Sequence, residues 1–159
     1  MKSEPSEADP RYRALVELLR TADTLWSASR TFFAPWNLGP SQFNVLNLLH
    51  SNPTGLSQTE LGRQLLMDRS NITGLVDRLE KRGLVERQDA ADDLRAYRVV
   101  LSPAGSRLIQ EILPRYYEGT VRVWAGVPPA RACELLAILR RVSQNAEELV
   151  RSPRKPQTP

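Results

Sequence analysis

Apolar residues recur at helical spacing along most of this chain and alternate only near residue 100. From Pro10, the residues Leu15, Leu18, Leu19, Ala22, Leu25, Trp26, Ser29, Phe32 and Phe33 keep a helical period until Pro35 ends it. Pro40 opens a second helix behind Gly39, with Phe43, Leu46 and Leu49 on its apolar side, and Asn52–Pro53 stops it. Ile72, Leu75, Val76 and Leu79 fall at i, i+3, i+4 and i+7, one buried stripe. Tyr97, Val99 and Leu101 alternate with Arg98 and Val100, so this segment reads as a strand paired with Leu84–Arg87 across a polar loop, Gln88 to Arg95. Leu108, Ile109, Ile112, Leu113, Tyr116 and Val123 form another helical stripe, which Pro114 should kink or break. The last stripe, Leu135, Leu139, Val142, Ala146 and Leu149, has a 4-3-4-3 spacing that favours helix-on-helix packing.

Local signals sharpen the middle of the chain. Ser57 and Glu60 form S-x-x-E, a capping box, and Leu56 and Leu61 can staple across it. That helix should run to Leu66 and turn at Leu66–Met67 into a second helix capped by Asp68. Lys81 and Arg82 suit the last turn and Gly83 its stop. Thr54–Leu56 can add a very short third strand, and Ser102–Pro103 caps the following helix. Leu56 to Leu101 therefore reads as helix, tight turn, helix and hairpin. The predicted fold class is mainly α, a winged helix-turn-helix with a small β-hairpin wing and further helices at both ends.

The face of the second motif helix opposite its stripe carries Ser70, Thr73, Gly74, Asp77, Arg78 and Lys81. Small hydrogen-bonding residues at the start of a free face let a backbone approach base edges in a major groove. Arg69, Ser70, Asn71 and Thr73 can instead serve only the helix start. Ser57, Gln58 and Thr59 lie at the first motif helix N-terminus, where amides can hold phosphate. Arg78 and Lys81 suit phosphate rather than bases. Asp77 opposes a polyanion unless Lys81 or a wing arginine masks it.

The 159 residues suggest one domain, with residues 1–9 expected to be disordered and residues 151–159, rich in proline and basic residues, a flexible tail. No apolar run is long enough to span a membrane, and MKSEPSEADP is no signal peptide, so the cytoplasm is the expected location. One cysteine, Cys133, and one histidine, His50, give neither a disulfide framework nor a zinc cluster, and no cofactor or metal is expected. No Ser-His-Asp set or phosphate loop is present either, which argues against an enzyme. The formal net charge is +4 and the pI about 9.6, which permits nucleic-acid binding. From Ser57 to Ser102, however, Arg63, Arg69, Arg78, Lys81, Arg82, Arg87, Arg95 and Arg98 are balanced by Glu60, Asp68, Asp77, Glu80, Glu86, Asp89, Asp92 and Asp93. The arrangement of residues, not bulk charge, points to double-stranded DNA.

The L-x2-Q-F-x-V-L run at Leu38–Leu46, the run from Ser70 to Arg87, and D-x-R-x5-L-S-x2-G from Asp93 to Gly105 resemble the MarR family of winged-helix transcription regulators. The likeness covers residues 10–150, with the winged helix at 38–102 and dimerisation helices at 10–34 and 103–150. It implies a homodimer through Leu15, Leu135, Leu139, Val142 and Leu149. It implies a wing-tip Arg95 in the minor groove, braced by Asp93. It also implies an effector pocket for aromatic acids at the seam of Trp26, Phe33, Trp36 and Phe43. Leu94 and Gly74 depart from the family pattern, each standing where a basic residue is common. The family's peroxide sensors carry a first-helix cysteine that this chain lacks. The residues alone leave alternatives open. The aromatics can simply fill a core, the terminal stripes can belong to a monomer with a second apolar layer, and a winged helix can bind protein instead of DNA. The resulting expectation is a repressor of a pseudo-palindromic operator, released by a small aromatic molecule.

Overall fold

The computed structural model describes residues 9–90 and 93–151, and only the backbone of Ala90 and of residues 93–96. The expected disordered N-terminus and basic tail lie outside the described residues, apart from Asp9 and Arg151. Helix α1 (Pro10–Phe33) starts at Asp9, whose carboxylate accepts the Arg11 N–H. It ends in a single 3-10 turn, Ala34–Trp36, closed by Asn37 in the left-handed region. Helix α2 (Pro40–His50) follows, with the Gln42 side chain returning to the Gly39 N–H at 2.9 Å.

The middle of the chain folds as the capping signals require. Helix α3 (Gln58–Leu65) ends one residue short of the expected Leu66, which takes a left-handed conformation with φ 52° and turns the chain toward α4 (Arg69–Lys81). Ile72, Leu75, Val76 and Leu79 are all buried, each worth roughly 2 kcal/mol relative to exposure. The α4 stop is a Schellman motif. The Gly83 N–H donates to Glu80 O and the Leu84 N–H to Leu79 O, with Gly83 at the positive φ of 67° that this closure demands.

Strands β1 (Val85–Ala90) and β2 (Asp93–Leu101) pair antiparallel, Val85 opposite Leu101 and Arg87 opposite Val99. Both strands extend into the segment expected as a loop, and the register shifts between Asp89 and Ala90. Polar residues on a solvated hairpin carry no alternation, so pairing there rests on backbone hydrogen bonds that hydropathy does not reveal. The short third strand is present as one bridge, Leu56 with Val99.

Helix α5 (Pro103–Val123) is capped by buried Ser102, whose Oγ accepts the Gly105 N–H at 2.9 Å and donates to Gly83 O at 2.6 Å. A Cβ on Gly105 would lie 1.9 Å from Leu84 O, so only glycine permits this approach of α5 to the start of the hairpin. Of the kink or break expected at Pro114, the break does not occur: α5 runs through it. Proline there removes one N–H, and the helical hydrogen bonds on either side carry the element across the gap.

The chain divides into two compact units, Met1–Ile112 and Leu113–Pro159. The first has a core of Phe33, Phe43, Val45, Leu46, Leu49, Leu61, Ile72, Val76, Leu79, Val85, Ile109 and Ile112. The second contains α6 (Pro129–Arg151), which has no buried residue. The architecture is mainly α with a two-stranded hairpin, a winged helix-turn-helix. Among the described residues no helix is long and apolar enough to cross a membrane.

Candidate nucleic-acid interface

The start of α3 is fixed by a closed set of bonds. The Ser57 N–H donates to Glu60 Oε2 at 2.7 Å, and the Glu60 N–H to Ser57 Oγ at 3.2 Å. These contacts, the Ser57 backbone first and its hydroxyl second, hold the Glu60 carboxyl below its ordinary range against the opposing effect of burial. Arg98 and Arg63 act in the same direction. Arg98 lies 3.7 Å from Glu60 and donates to Gly55 O at 2.6 Å, tying β2 to the α3 entry. Gln58 is half-buried and Thr59 exposed at this end.

Helix α4 then presents its free face. Asp68 has the extended backbone of an N-cap, but its side chain makes no capping bond. Arg69, Ser70 and Asn71 are exposed, as are Arg78 and Lys81 farther along, while Thr73 and Gly74 are half-buried. The Thr73 hydroxyl lies against the Arg69 carbonyl oxygen and the Gln58 amide, joining α4 to α3.

Asp77 is masked from the hairpin. Arg87 on β1 bonds both Asp77 and Glu80, and its guanidinium carbon sits 5.3 Å from the centre of the Tyr97 ring. Burial works against the Arg87 charge, but Asp77, with Tyr97 and Glu80, outweighs it and raises the guanidinium above its ordinary pKa. Of the two partners expected for Asp77, the wing arginine is the one found.

Three arginines of the motif thus serve the protein itself. Arg87 and Arg98 are joined by Arg82, which donates to Asn37 O at 2.6 Å and to Trp36 O at 3.1 Å. Sequence reading offered Arg82 as a last-turn cation and a wing arginine as a mask for Asp77, and gave Arg98 no structural task. Arg87 had a signal: it lies two residues from inward-facing Val85 on the same strand face, opposite the pair Asp77 and Glu80. Arg63, Arg69, Arg78 and Lys81 are exposed. Asp93 and Arg95 lie in β2, but their side chains, like all of Asp92, are outside the described residues.

The aromatic residues only partly converge. Phe33 and Phe43 stack with centroids 4.2 Å apart, deep in the core. Phe32 packs edge-on to Phe33 and tilted to Trp36. The Trp36 indole N–H donates to Glu111 Oε1 at 2.9 Å. Trp26 is 46% exposed. Of the residues expected at a dimer interface, Leu15, Leu135, Val142 and Leu149 are exposed and Leu139 is half-buried. Cys133 is exposed. Among the described residues no group of His, Cys, Asp and Glu is arranged to hold a metal.

Comparison with known proteins gives this geometry a lineage. Residues 36–96 match the model of the MarR family. Over 112 residues the chain is 28% identical to the uncharacterized HTH-type transcriptional regulator YkoM of Bacillus subtilis (strain 168), covering 70% of this chain and 71% of that one. The solved structure of a probable transcriptional regulator from Pseudomonas aeruginosa is 33% identical, with 79% of this chain and 93% of that chain covered and a TM-score of 0.64. The structure of CouR from Rhodococcus jostii RHA1, bound to p-coumaroyl-CoA, is 25% identical, with 87% and 95% covered and a TM-score of 0.75.

Proposed function

We propose, since this chain belongs to the MarR family of DNA-binding winged-helix transcription regulators, that it acts as a homodimeric repressor on a pseudo-palindromic operator. The observation that carries this reading is the free face of α4. Arg69, Ser70 and Asn71 stand exposed at its start, while Asp77 is held by Arg87. Cations on that face can meet phosphates and the short polar side chains can meet base edges. Ser57, Gln58 and Thr59 add the α3 N-terminus. Arg95 on β2 is the proposed minor-groove contact, with Asp93 as its brace.

The homodimer is supported by apolar surface that neither unit covers by itself. Leu15, Leu19 and Leu25 on α1 are exposed, as are Leu135, Leu136, Ile138, Val142 and Leu149 on α6. Two copies related by a twofold axis would place two α4 helices on successive half-sites. The effector is proposed as a small aromatic acid or its thioester. The aromatic group around Phe33, Phe43 and Trp36 supports it, as does the p-coumaroyl-CoA in the CouR structure. Its binding should quench Trp26 or Trp36, and quenching that survives Trp26→Phe plus Trp36→Phe, with Trp124 retained, would place the pocket elsewhere.

The test of the main reading is selection of duplexes from a random pool by the purified protein, followed by titration at several salt concentrations. A palindromic consensus with salt-dependent affinity is the expected result. Failure to bind any duplex, even at low salt, would favour a winged helix that docks on protein. Leu139→Asp with Val142→Asp should sediment as a monomer and lose the operator; a monomeric wild type at micromolar concentration would overturn the dimer.

A further inference from the structure

Thr73 differs from its neighbours on α4 in what it can offer a base. Its Oγ1 lies 2.9 Å from the Arg69 carbonyl oxygen, one turn back, and 3.1 Å from Gln58 Oε1 on α3. A hydroxyl carries a single proton, and both neighbours are acceptors, so that proton is committed inside the protein. Reversing the Gln58 amide does not release it. In that orientation the proton goes to Arg69 O, and the amide NH2 donates to Oγ1. The reversal also gives a partner to Gln58 Nε2, which is otherwise buried without one. In neither orientation has Thr73 a proton for guanine O6 or N7, adenine N7 or thymine O4.

What Thr73 keeps is its γ-methyl group. Staggering at Cβ separates that methyl from the hydroxyl, and so from the joint with α3. The next residue, Gly74, has no side chain, and the Arg78 guanidinium, 3.3 Å away, is the neighbour that a Cβ there would meet. Thr73 and Gly74 are both only half-buried, so this stretch of α4 keeps surface that a base can reach. We propose that Thr73 and Gly74 read a thymine through its C5-methyl group, with Gln58 as the positioning residue that turns the Thr73 hydroxyl inward. The proposal rests on the DNA-binding reading above and assigns one base class to one place on α4. Thymine is the base whose major-groove edge carries a methyl group, and a threonine methyl is a suitable partner for it.

Deoxyuridine keeps every hydrogen-bonding group of thymidine and lacks only that methyl. Each thymine of the selected half-site is replaced by deoxyuridine in turn, and affinity is measured by titration of the labelled duplex. One position per half-site should weaken wild-type binding about fourfold, the scale of one buried methyl group. Thr73→Ser keeps the hydroxyl and loses the methyl, so it should bind both duplexes equally at that position. Thr73→Val keeps the methyl and should retain the discrimination. Gln58→Ala removes one of the two partners that hold the hydroxyl inward and should shrink the discrimination. Discrimination that survives Thr73→Ser overturns the proposal, as does a wild type indifferent to every thymine-to-deoxyuridine change. Full discrimination in Gln58→Ala overturns the part given to Gln58. A wild type that selects no duplex overturns the regulator reading itself, and the proposal with it.

Discussion

Asp77 of α4 is bonded by Arg87 of β1, so the acid on the free face of the second motif helix is neutralised from the hairpin. The same guanidinium takes Glu80 and lies over Tyr97, which joins helix and wing through one side chain. Arg87→Ala should therefore do two separable things. It should lower stability by about 1 kcal/mol, a modest figure because Asp77 and Glu80 remain partly solvated. It should also weaken binding to every duplex by exposing Asp77 to phosphate. Adding Asp77→Asn to Arg87→Ala should recover DNA affinity while leaving stability low. If the double variant bound no better than Arg87→Ala, repulsion by Asp77 would not be the cause.

Glu60 gives the fold a sensitivity to acid. Its carboxyl is held below the ordinary glutamate range by the Ser57 amide and hydroxyl, and further by Arg98 and Arg63. A group depressed in the folded state contributes stability that is present above its unfolded pKa and lost as pH falls through its folded pKa. Glu60→Gln keeps an acceptor for the Ser57 N–H but has no charge. The variant should be less stable than wild type near pH 7, and the difference should close as pH falls below about 4.5. Urea midpoints at intervals from pH 7 to pH 3 provide the check. A gap that stays constant over that range would assign the loss to geometry and not to charge.

The helix-turn-helix was legible because its signals are local. A capping box, a four-residue stripe and a terminal glycine each act within a few positions, and Ser57, Glu60, Ile72, Leu79 and Gly83 do what those patterns specify. The three structural arginines were not legible in the same way. Arg82 bonds carbonyls at positions 36 and 37, and Arg98 bonds those at 54 and 55. Such partners are set by tertiary approach, and an arginine in a strand reads the same whether it faces DNA or another element. The full length of the hairpin was hidden for a related reason: with Gln88 and Asp89 exposed, no core imposes an alternating pattern on them.

Ser102 is the polar residue buried at the joint between hairpin and α5. Its hydroxyl satisfies the Gly105 N–H and the Gly83 carbonyl together. Ser102→Ala leaves both without that partner, the Gly105 N–H in a buried place and the Gly83 carbonyl in a half-buried one. The expected loss is about 1–3 kcal/mol, at the upper end of a single cap substitution. Denaturant unfolding measures it. A loss below about 0.5 kcal/mol would mean that water or backbone movement replaces both bonds.

The last expectation separates specificity from attachment along α4. Ser70 and Asn71 are short, exposed and at the start of the helix, whereas Arg78 and Lys81 are long, exposed and toward its end. An asparagine can pair with two atoms of an adenine edge, and a serine can bond several bases less selectively. Asn71→Ala should cost about 1–3 kcal/mol on the selected operator and much less on random DNA. Lys81→Ala should weaken both classes of duplex alike and reduce the slope of log affinity against log salt by about one. Arg95→Ala on the wing should resemble Lys81→Ala, since minor-groove readout is degenerate. Affinities for operator and random duplex at three salt concentrations distinguish these outcomes. An Asn71→Ala variant that lost both equally would make Asn71 a phosphate contact. An Arg95→Ala variant with an unchanged salt slope would turn the wing, with its acids Asp89, Asp92 and Asp93, away from the DNA.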